Sequence, residues 1–251
     1  MSSKQQHNEH GFSILELVVA VAIFSVIMSV MFQQIDQVSQ TSTTERSKLD
    51  VFQEARAFMD LMSRDLHQAG FPSPRSFAAG VLTLNAALPR SPYAADSRVA
   101  VGLTKVGSGE LWFEGDVNGT GQVSVVQYHL DTTGTNCPCL RRSEQPKANG
   151  DPLTQTPVYQ VEVQNVKNGT DTNPIFYAFD HLSTGTPNTL PIDFNNNSSV
   201  IANVDTIKVM LTVESPTPDP KTRIKPIATL VSTVRLANCS SANSGQFMSC
   251  Q

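Results

Sequence analysis

The chain has 251 residues, of which 16% are charged, and its formal net charge at pH 7 is −4. With 18 Lys and Arg against 22 Asp and Glu, the charge balance argues against a protein built to bind nucleic acid or anionic lipid. Both ligands need a basic excess. A hydrophobic fraction of 39% excludes a chain that is disordered throughout.

The first predicted element is a membrane-spanning helix over residues 12–32. It follows a polar leader, residues 1–11, and contains one charge, Glu16, with no Gly or Pro. The helix would be about 31 Å long, which matches the ~30 Å hydrocarbon core of a bilayer. No small-residue cleavage site follows the apolar stretch. A cut at the end of the leader would therefore leave the helix on the mature chain.

Glu16 is unusual for its surroundings, because a carboxylate in a membrane helix costs a few kcal/mol. In one interpretation it lies near the helix start, where the helix dipole favours an acid. In the other it has a positive partner. A cut after Gly11 would leave a free amine on Phe12, and a neighbouring subunit would offer that amine to Glu16. We favour the second interpretation, since an intramembrane acid is functional by default.

The order Gly11, Phe12, three further residues, Glu16 and an apolar helix resembles the start of type IV pilin-like proteins. The resemblance implies cleavage between Gly11 and Phe12 by a prepilin peptidase, which also N-methylates Phe12. It implies that Glu16 pairs with the amine of an adjoining subunit during assembly. It also implies a single-pass protein of the bacterial inner membrane, with a periplasmic head, that later enters a pilus or pseudopilus.

The helix is predicted to continue through residues 33–70, because no Gly or Pro precedes Gly70, and two prolines then follow as a stop signal. Residues 39–48 are polar all round and predict a solvated collar between membrane and head. Beyond the collar, apolar residues recur every three or four positions and predict a stripe that packs on a sheet. The stripe comprises Leu49, Phe52, Ala55, Met59, Met62, Leu66 and Ala69.

The head, residues 71–251, is predicted to be an antiparallel sheet, because β-rich runs alternate with Gly, Pro, Asn and Asp clusters. The predicted strands are residues 80–84, 97–103, 110–115, 122–130, 158–166, 174–180, 204–215 and 226–236. The expected fold class is α+β: a long N-terminal helix, transmembrane in its first half, packed on an antiparallel sheet through its second half.

Short patterns in residues 56–71, 113–130 and 207–238 resemble the PilW-like minor pilins and the J-type pseudopilins of type II secretion. The resemblance implies a minor subunit that helps to initiate or cap a type IV pilus. Its partners would be other pilin or pseudopilin subunits, the prepilin peptidase and the inner membrane. The alternatives are a minor pseudopilin of a type II secretion system, and a displayed head that binds a surface, calcium or DNA.

The segment after residue 115 allows two interpretations. Oxygen-bearing side chains at Asp116, Asn118, Thr120 and Gln122 resemble the start of a calcium loop. However, Thr120 stands where such loops carry an acid or amide, and Gln127 where they carry a bidentate Glu. A turn between two strands is therefore the favoured interpretation, since Asp, Asn and Gly dominate turns. Calcium is the alternative.

The four cysteines suggest two pairs. In an exported head, a disulfide between Cys239 and Cys250 would close a loop of about a dozen residues and contribute roughly 3 kcal/mol. Cys137 and Cys139 allow either a small bridge or two reduced thiols, because a metal site would need further ligands.

No catalytic chemistry is predicted. The sequence lacks the G-x-S-x-G, H-E-x-x-H, P-loop and C-x-x-C motifs, so we expect a protein that is not an enzyme and has no cofactor. Arg141, Arg142 and Lys147 predict a small basic patch on a solvated loop. Too few charges lie there for DNA capture.

Overall fold

A computed structural model describes residues 13–78, 80–82, 93, 96–135, 137–170, 172–180, 185–219 and 222–238. Helix α1, Ile14–His67, is 54 residues long and begins after Ser13. The predicted long N-terminal helix is thereby confirmed, and it ends three residues before Gly70, the predicted stop. Gly11, Phe12, Cys239 and Cys250 lie outside the described residues.

In the described residues, nine strands and a second helix follow α1. Their bounds are β1 Leu103–Val106, β2 Glu110–Gly115, β3 Ser124–Asp131, β4 Cys139–Pro146, β5 Gln160–Gln164, β6 Phe176–Asp180, β7 Ile192–Asp193, α2 Ser198–Ile201, β8 Val204–Glu214 and β9 Ile227–Arg235. Short 3₁₀ turns lie at Pro74–Ser76 and Pro152–Thr154.

The strands form two antiparallel sheets. The larger has the order β5-β4-β3-β2-β1-β7, and the smaller has the order β6-β8-β9. The chain after β5 joins them, because Val166 bridges to Val213 and the Lys167 N–H donates to the Thr212 carbonyl at 2.8 Å. Helix α1 packs on β5, β8 and β9, so it contacts both sheets. The predicted α+β architecture is confirmed.

The second half of α1 carries the core face that the sequence predicts, although the stripe starts further along the helix. Leu49 is 54% exposed and Phe52 is half-buried, so neither anchors the stripe. Val51 and Phe58 are buried instead. The buried helix residues are Thr44, Val51, Ala55, Phe58, Met59, Met62, Asp65 and Leu66.

A glycine contact fixes the end of the helix against the larger sheet. Gly70 adopts a positive φ of 77°, and its N–H donates to the Glu114 carbonyl at 2.9 Å. A Cβ atom at Gly115 would collide with the backbone of Gln68. The last turn of α1 therefore lies directly against β2, where only a glycine allows that approach.

The strand predictions match the structure for β2, β3, β5, β6, β8 and β9 to within a few residues at each end. They miss β4, β7 and most of β1. The predicted strand over residues 97–103 is wrong for residues 97–102, because β1 begins only at Leu103. Val99, Ala100 and Val101 are buried there, but the Ala100 N–H donates to the Pro72 carbonyl and the Val101 N–H to the Glu114 carboxylate.

The strand predicted at residues 80–84 is also absent from residues 80–82, and its remainder lies outside the described residues.

Candidate functional site

The N-terminal third of α1 presents an apolar surface that nothing in the described chain covers. Its large apolar side chains, from Ile14 to Phe32, range from 38% exposed at Met28 to 82% exposed at Ile14. The most apolar 18-residue window of α1 has a mean hydropathy of 2.6, and none of it is buried. By length and composition, α1 is the one helix of the described chain that can cross a membrane. Such a surface calls for lipid or other helices around it.

Glu16 lies in the first turn of this surface. Ser13 precedes the helix, and its carbonyl accepts the first helical hydrogen bond from the Leu17 N–H at 3.2 Å. The Glu16 side chain is exposed in the single chain. An acid in the first turn satisfies the helix dipole, which is the structural interpretation of this residue.

Glu16 has no cation within reach on its own helix. The next charged residues are Asp36 and Glu45, and the first cation is Arg46. Thirty helical residues separate Glu16 from Arg46, which is about 45 Å along the axis. In apolar surroundings the carboxylate therefore needs a proton, or a cation from outside this helix.

Four hydroxyl groups along α1 form hydrogen bonds within the helix, unlike the Glu16 carboxylate. Ser25 donates to the Val21 carbonyl at 2.7 Å, four residues earlier in the apolar segment. In the polar collar, three threonines form the same kind of bond, with the hydroxyls of Thr41, Thr43 and Thr44 donating to carbonyls at 2.9–3.0 Å. These bonds let hydroxyl groups sit on a helix without partners elsewhere.

A buried polar cluster fastens α1 to the head. Tyr128 and Arg142 are opposite each other on β3 and β4, so their side chains share one face of the larger sheet. The Tyr128 hydroxyl donates to Asp65 Oδ2 at 2.6 Å, and Arg142 Nε donates to the same oxygen at 2.9 Å. The carboxylate of Asp65 is thus the counter-charge of a guanidinium that is 14% exposed.

Burial governs the ionisation of this cluster. Desolvation raises the pKa of Asp65 above its ordinary value, and the hydrogen bond from Tyr128 and the charge of Arg142 oppose that rise. Burial and the negative charge of Asp65 raise the pKa of Tyr128 well above 10. The phenol therefore stays protonated and donates to the carboxylate.

The predicted basic patch is wrong. Arg142 lies on β4 and bonds to Asp65 and to Glu144, the latter at 2.8 Å. Arg141, also on β4, pairs with Asp131 at 2.9 Å. Each guanidinium is neutralised by a carboxylate of the described chain, so this strand offers no cluster of free cations to a phosphate backbone.

Lys147, the third member of that predicted patch, is buried. Its ammonium lies 2.8 Å from Glu114 Oε2, with the lysine side chain 1% exposed and the glutamate side chain fully buried. The ammonium also donates to the Val99 carbonyl at 2.7 Å. The pair anchors the segment of residues 97–102 between β2 and the end of β4. Charge alone made these residues look like a solvated loop.

The segment from Asp116 to Gln122 connects β2 to β3 as a turn. Asp116 is buried, and its carboxylate accepts the N–H groups of Thr120 at 3.0 Å and Gly121 at 2.8 Å. Asn118 Oδ1 accepts the Thr120 hydroxyl at 2.6 Å. Oxygens proposed as calcium ligands therefore hold the turn together, which favours the turn interpretation. Calcium binding by these residues stays a prediction.

Cys137 and Cys139 are joined by a disulfide, with their Cα atoms 4.4 Å apart. The Asp131 carboxylate lies beside the two sulfur atoms. Its Oδ1 accepts the N–H groups of both Thr133 and Gly134, so it stabilises the turn that leads into β4. The proposed pair of Cys239 and Cys250 lies outside the described residues and stays a prediction.

Comparison with known proteins adds one match. Residues 6–32 match the family described as the prokaryotic N-terminal methylation motif, so the match includes Gly11, Phe12 and Glu16. No curated protein and no solved structure matches the chain. The motif implies processing by a prepilin peptidase, and proteins that carry it are typically structural subunits. The chain joins this motif to a long apolar helix that packs on antiparallel sheets, which is a pilin-like architecture.

Proposed function

We propose that this pilin-like chain is a minor structural subunit that takes part in the initiation or the tip of a type IV pilus. One observation carries the proposal. Residues 14–32 form an exposed apolar surface that holds a single carboxylate, Glu16, and the helix offers no cation to pair with it. The methylation motif over residues 6–32 supports cleavage after Gly11 and methylation of Phe12.

The physics of assembly follows from the surroundings of Glu16. Moving an apolar helix from lipid into a bundle of helices brings little hydrophobic gain, because lipid tails are as apolar as leucine. Shape and polar pairing then decide how the helices align. A methylated amine on Phe12 of one subunit, placed beside Glu16 of another, would neutralise both charges. This pair would select one axial register among many that pack equally well.

The proposal gives each part of the chain a place. The mature helix would anchor the protein in the bacterial inner membrane, with the head in the periplasm, until neighbouring subunits extract it. The patterns in residues 56–71 and 113–130 support a minor subunit. The same patterns also fit a J-type pseudopilin, so a minor pseudopilin of a type II secretion system is the second candidate.

Replacing Glu16 by Ala tests the proposal. The full chain is produced in its native host, and its amount in the filament fraction is compared with its amount in the membrane. We expect the Glu16→Ala variant to enter filaments about tenfold less or worse, because a buried charge that loses its partner costs about 2 kcal/mol or more. The head should keep its melting temperature.

Asp36→Ala is the matched control, since Asp36 lies on the same helix just beyond the apolar segment and bonds only to Gln40 among the described residues. This variant should assemble normally. Filament entry of Glu16→Ala at the level of the unmodified chain would contradict the proposal.

A further inference from the structure

Among the residues that the structure describes, strand β9 is an open edge of the smaller sheet. Its one neighbour in that sheet is β8. The Ser215 N–H donates to the Pro226 carbonyl and the Leu236 N–H to the Asp205 carbonyl. In an antiparallel pair such bonded positions alternate, so the even-numbered residues of β9 point their backbone groups at β8. The odd-numbered residues, from Ile227 to Arg235, point theirs outward, and no described residue pairs with them.

This edge lacks the features that normally prevent further pairing. The strand is nine residues long, pairs with β8 without a bulge, and carries no charge before Arg235. Ile227 and Val231 are 57% and 56% exposed. Natural edge strands are usually short or bulged, or carry Lys or Pro, because an unprotected edge accepts another strand.

A groove runs beside the same edge. It has a volume of about 290 Å³, and α1 lines one side of it with Arg56, Asp60 and Ser63. Leu230, Val231 and Ser232 of β9 line the other side. Arg56 and Asp60 lie one helical turn apart and are exposed, and neither forms an ion pair with a described residue. A strand added to β9 would lie over two opposite charges that have no ion-pair partner among the described residues.

We propose that the β9 edge and this groove bind an extended strand from a different, neighbouring subunit of the filament. The inference rests on the proposed function, since it names a contact within that assembly. Backbone pairing with the odd-numbered residues of β9 supplies the affinity, as in other cases of strand addition. Side chains of the incoming strand that face α1 set specificity, with an acid opposite Arg56 and a base opposite Asp60.

Two copies of this chain cannot pair through their β9 edges. Two β9 strands would pair antiparallel about a two-fold axis perpendicular to the sheet, and this rotation reverses every direction in the sheet plane. Because α1 packs against β8 and β9, the two helices would run in opposite directions. Their apolar segments would then point away from each other and could not share one membrane.

Val231→Pro tests the edge directly. The Val231 N–H points outward, so proline removes a group that pairs only with an added strand, and no bond to β8 is lost. Val231→Thr is the matched control, because it keeps both the N–H and a β-branched side chain. We expect Val231→Pro to reduce filament entry of the full chain about tenfold, the effect of about one or two lost ladder bonds. Val231→Thr should assemble normally.

Filament entry of Val231→Pro at the unmodified level would overturn the proposal. A photo-crosslinking residue at Thr229 or Thr233 provides a test without proline, with exposed Asn149 as the control site. The edge positions should crosslink to a different subunit, one whose own sequence carries the methylation motif. The control position Asn149 should not crosslink to it. Crosslinks confined to a second copy of this chain, or no crosslink in assembled filaments, would also overturn the proposal.

The two proposals fail in different ways. If the chain is cut after Gly11 and enters filaments, but β9 variants assemble and crosslink like the control, only the edge proposal fails. If the unmodified chain stays uncut and never enters filaments, the proposed function fails.

Discussion

At the scale of single residues, Asp65 links the long helix α1 to the head. Its carboxylate is the acceptor for both Tyr128 and Arg142, which come from two neighbouring strands. Removing one member of such a cluster leaves another buried without a partner. The contact therefore fixes the helix on the larger sheet in one position along its axis.

Asp65→Asn should destabilise the head by about 3 kcal/mol, because the guanidinium of Arg142 loses most of its buried counter-charge. The measurement is thermal or chemical unfolding of the full chain in detergent. Asp50→Asn, an exposed change on the same helix, is the control and should alter stability by less than about 0.5 kcal/mol. Equal stability of the two variants would show that the cluster contributes nothing.

Asp131 gives the head a pH dependence. Hydrogen bonds from the N–H groups of Thr133 and Gly134 lower the pKa of Asp131 below its ordinary 3.8. A depressed pKa means that the unfolded chain takes up the proton first. The stabilisation from Asp131 is therefore present above about pH 4 and is lost as the pH falls through the folded pKa.

Asp131→Asn should flatten the loss of stability on acidification, since the amide oxygen still accepts hydrogen bonds but does not titrate. Melting temperatures between pH 6 and pH 2.5 would show this as a smaller decrease than in the unmodified chain. An acid limb as steep in the variant as in the unmodified chain would rule out this role.

At the scale of elements, the ion pair of Lys147 and Glu114 holds residues 97–102, which the sequence pattern predicts as a strand. The Lys147 ammonium donates to the Val99 carbonyl, and the Glu114 carboxylate accepts the Val101 N–H. Neither Val99 nor Val101 lies in a β-strand. Backbone hydrogen bonds to side chains thus replace a strand over residues 97–102.

Lys147→Met should cost about 3 kcal/mol of stability, because the carboxylate of Glu114 stays buried without its cation. The double variant with Glu114→Met should recover much of that loss, since apolar replacements of a whole buried pair are often neutral. Unfolding in urea would give both values. Additive losses in the double variant would indicate that the two residues do not act as a pair.

Sequence patterns predicted elements well where one physical rule decided the outcome. The absence of Gly and Pro set the length of α1, and alternation set β8 with its buried Ile207, Val209 and Leu211. They failed at β4, where Arg142 and Glu144 resemble solvated charges. The partner of Arg142, Asp65, is 77 residues away in the chain, and only the fold brings the two together.

The same limit applies to the candidate site. Gly11, Phe12 and Glu16 lie close together in the chain, so one short motif match spans all three. The buried clusters at Asp65 and at Lys147 join distant segments, and no local pattern marks them. The available signal for the Asp65 cluster was the spacing of Arg142 and Glu144, which lie two residues apart and so share one face of a strand.

At the scale of the whole molecule, the buried ion pairs of the described head contrast with the apolar segment of α1, whose one carboxylate has no ion pair with a described residue. In these buried ion pairs, Arg142 with Asp65 and Lys147 with Glu114, both partners belong to this chain. The apolar segment and Glu16 have no such partners. The apolar segment of α1 is therefore one surface that needs partners, and the proposed β9 edge is a second.

Mass analysis of the N-terminus of the protein from its native membrane tests this account most directly. We expect a mature chain that begins at N-methylated Phe12, because the proposed partner of Glu16 is the amine that this cut creates. A chain in the membrane and in filaments that still begins before Gly11 would contradict the account, since Glu16 would then face no such amine.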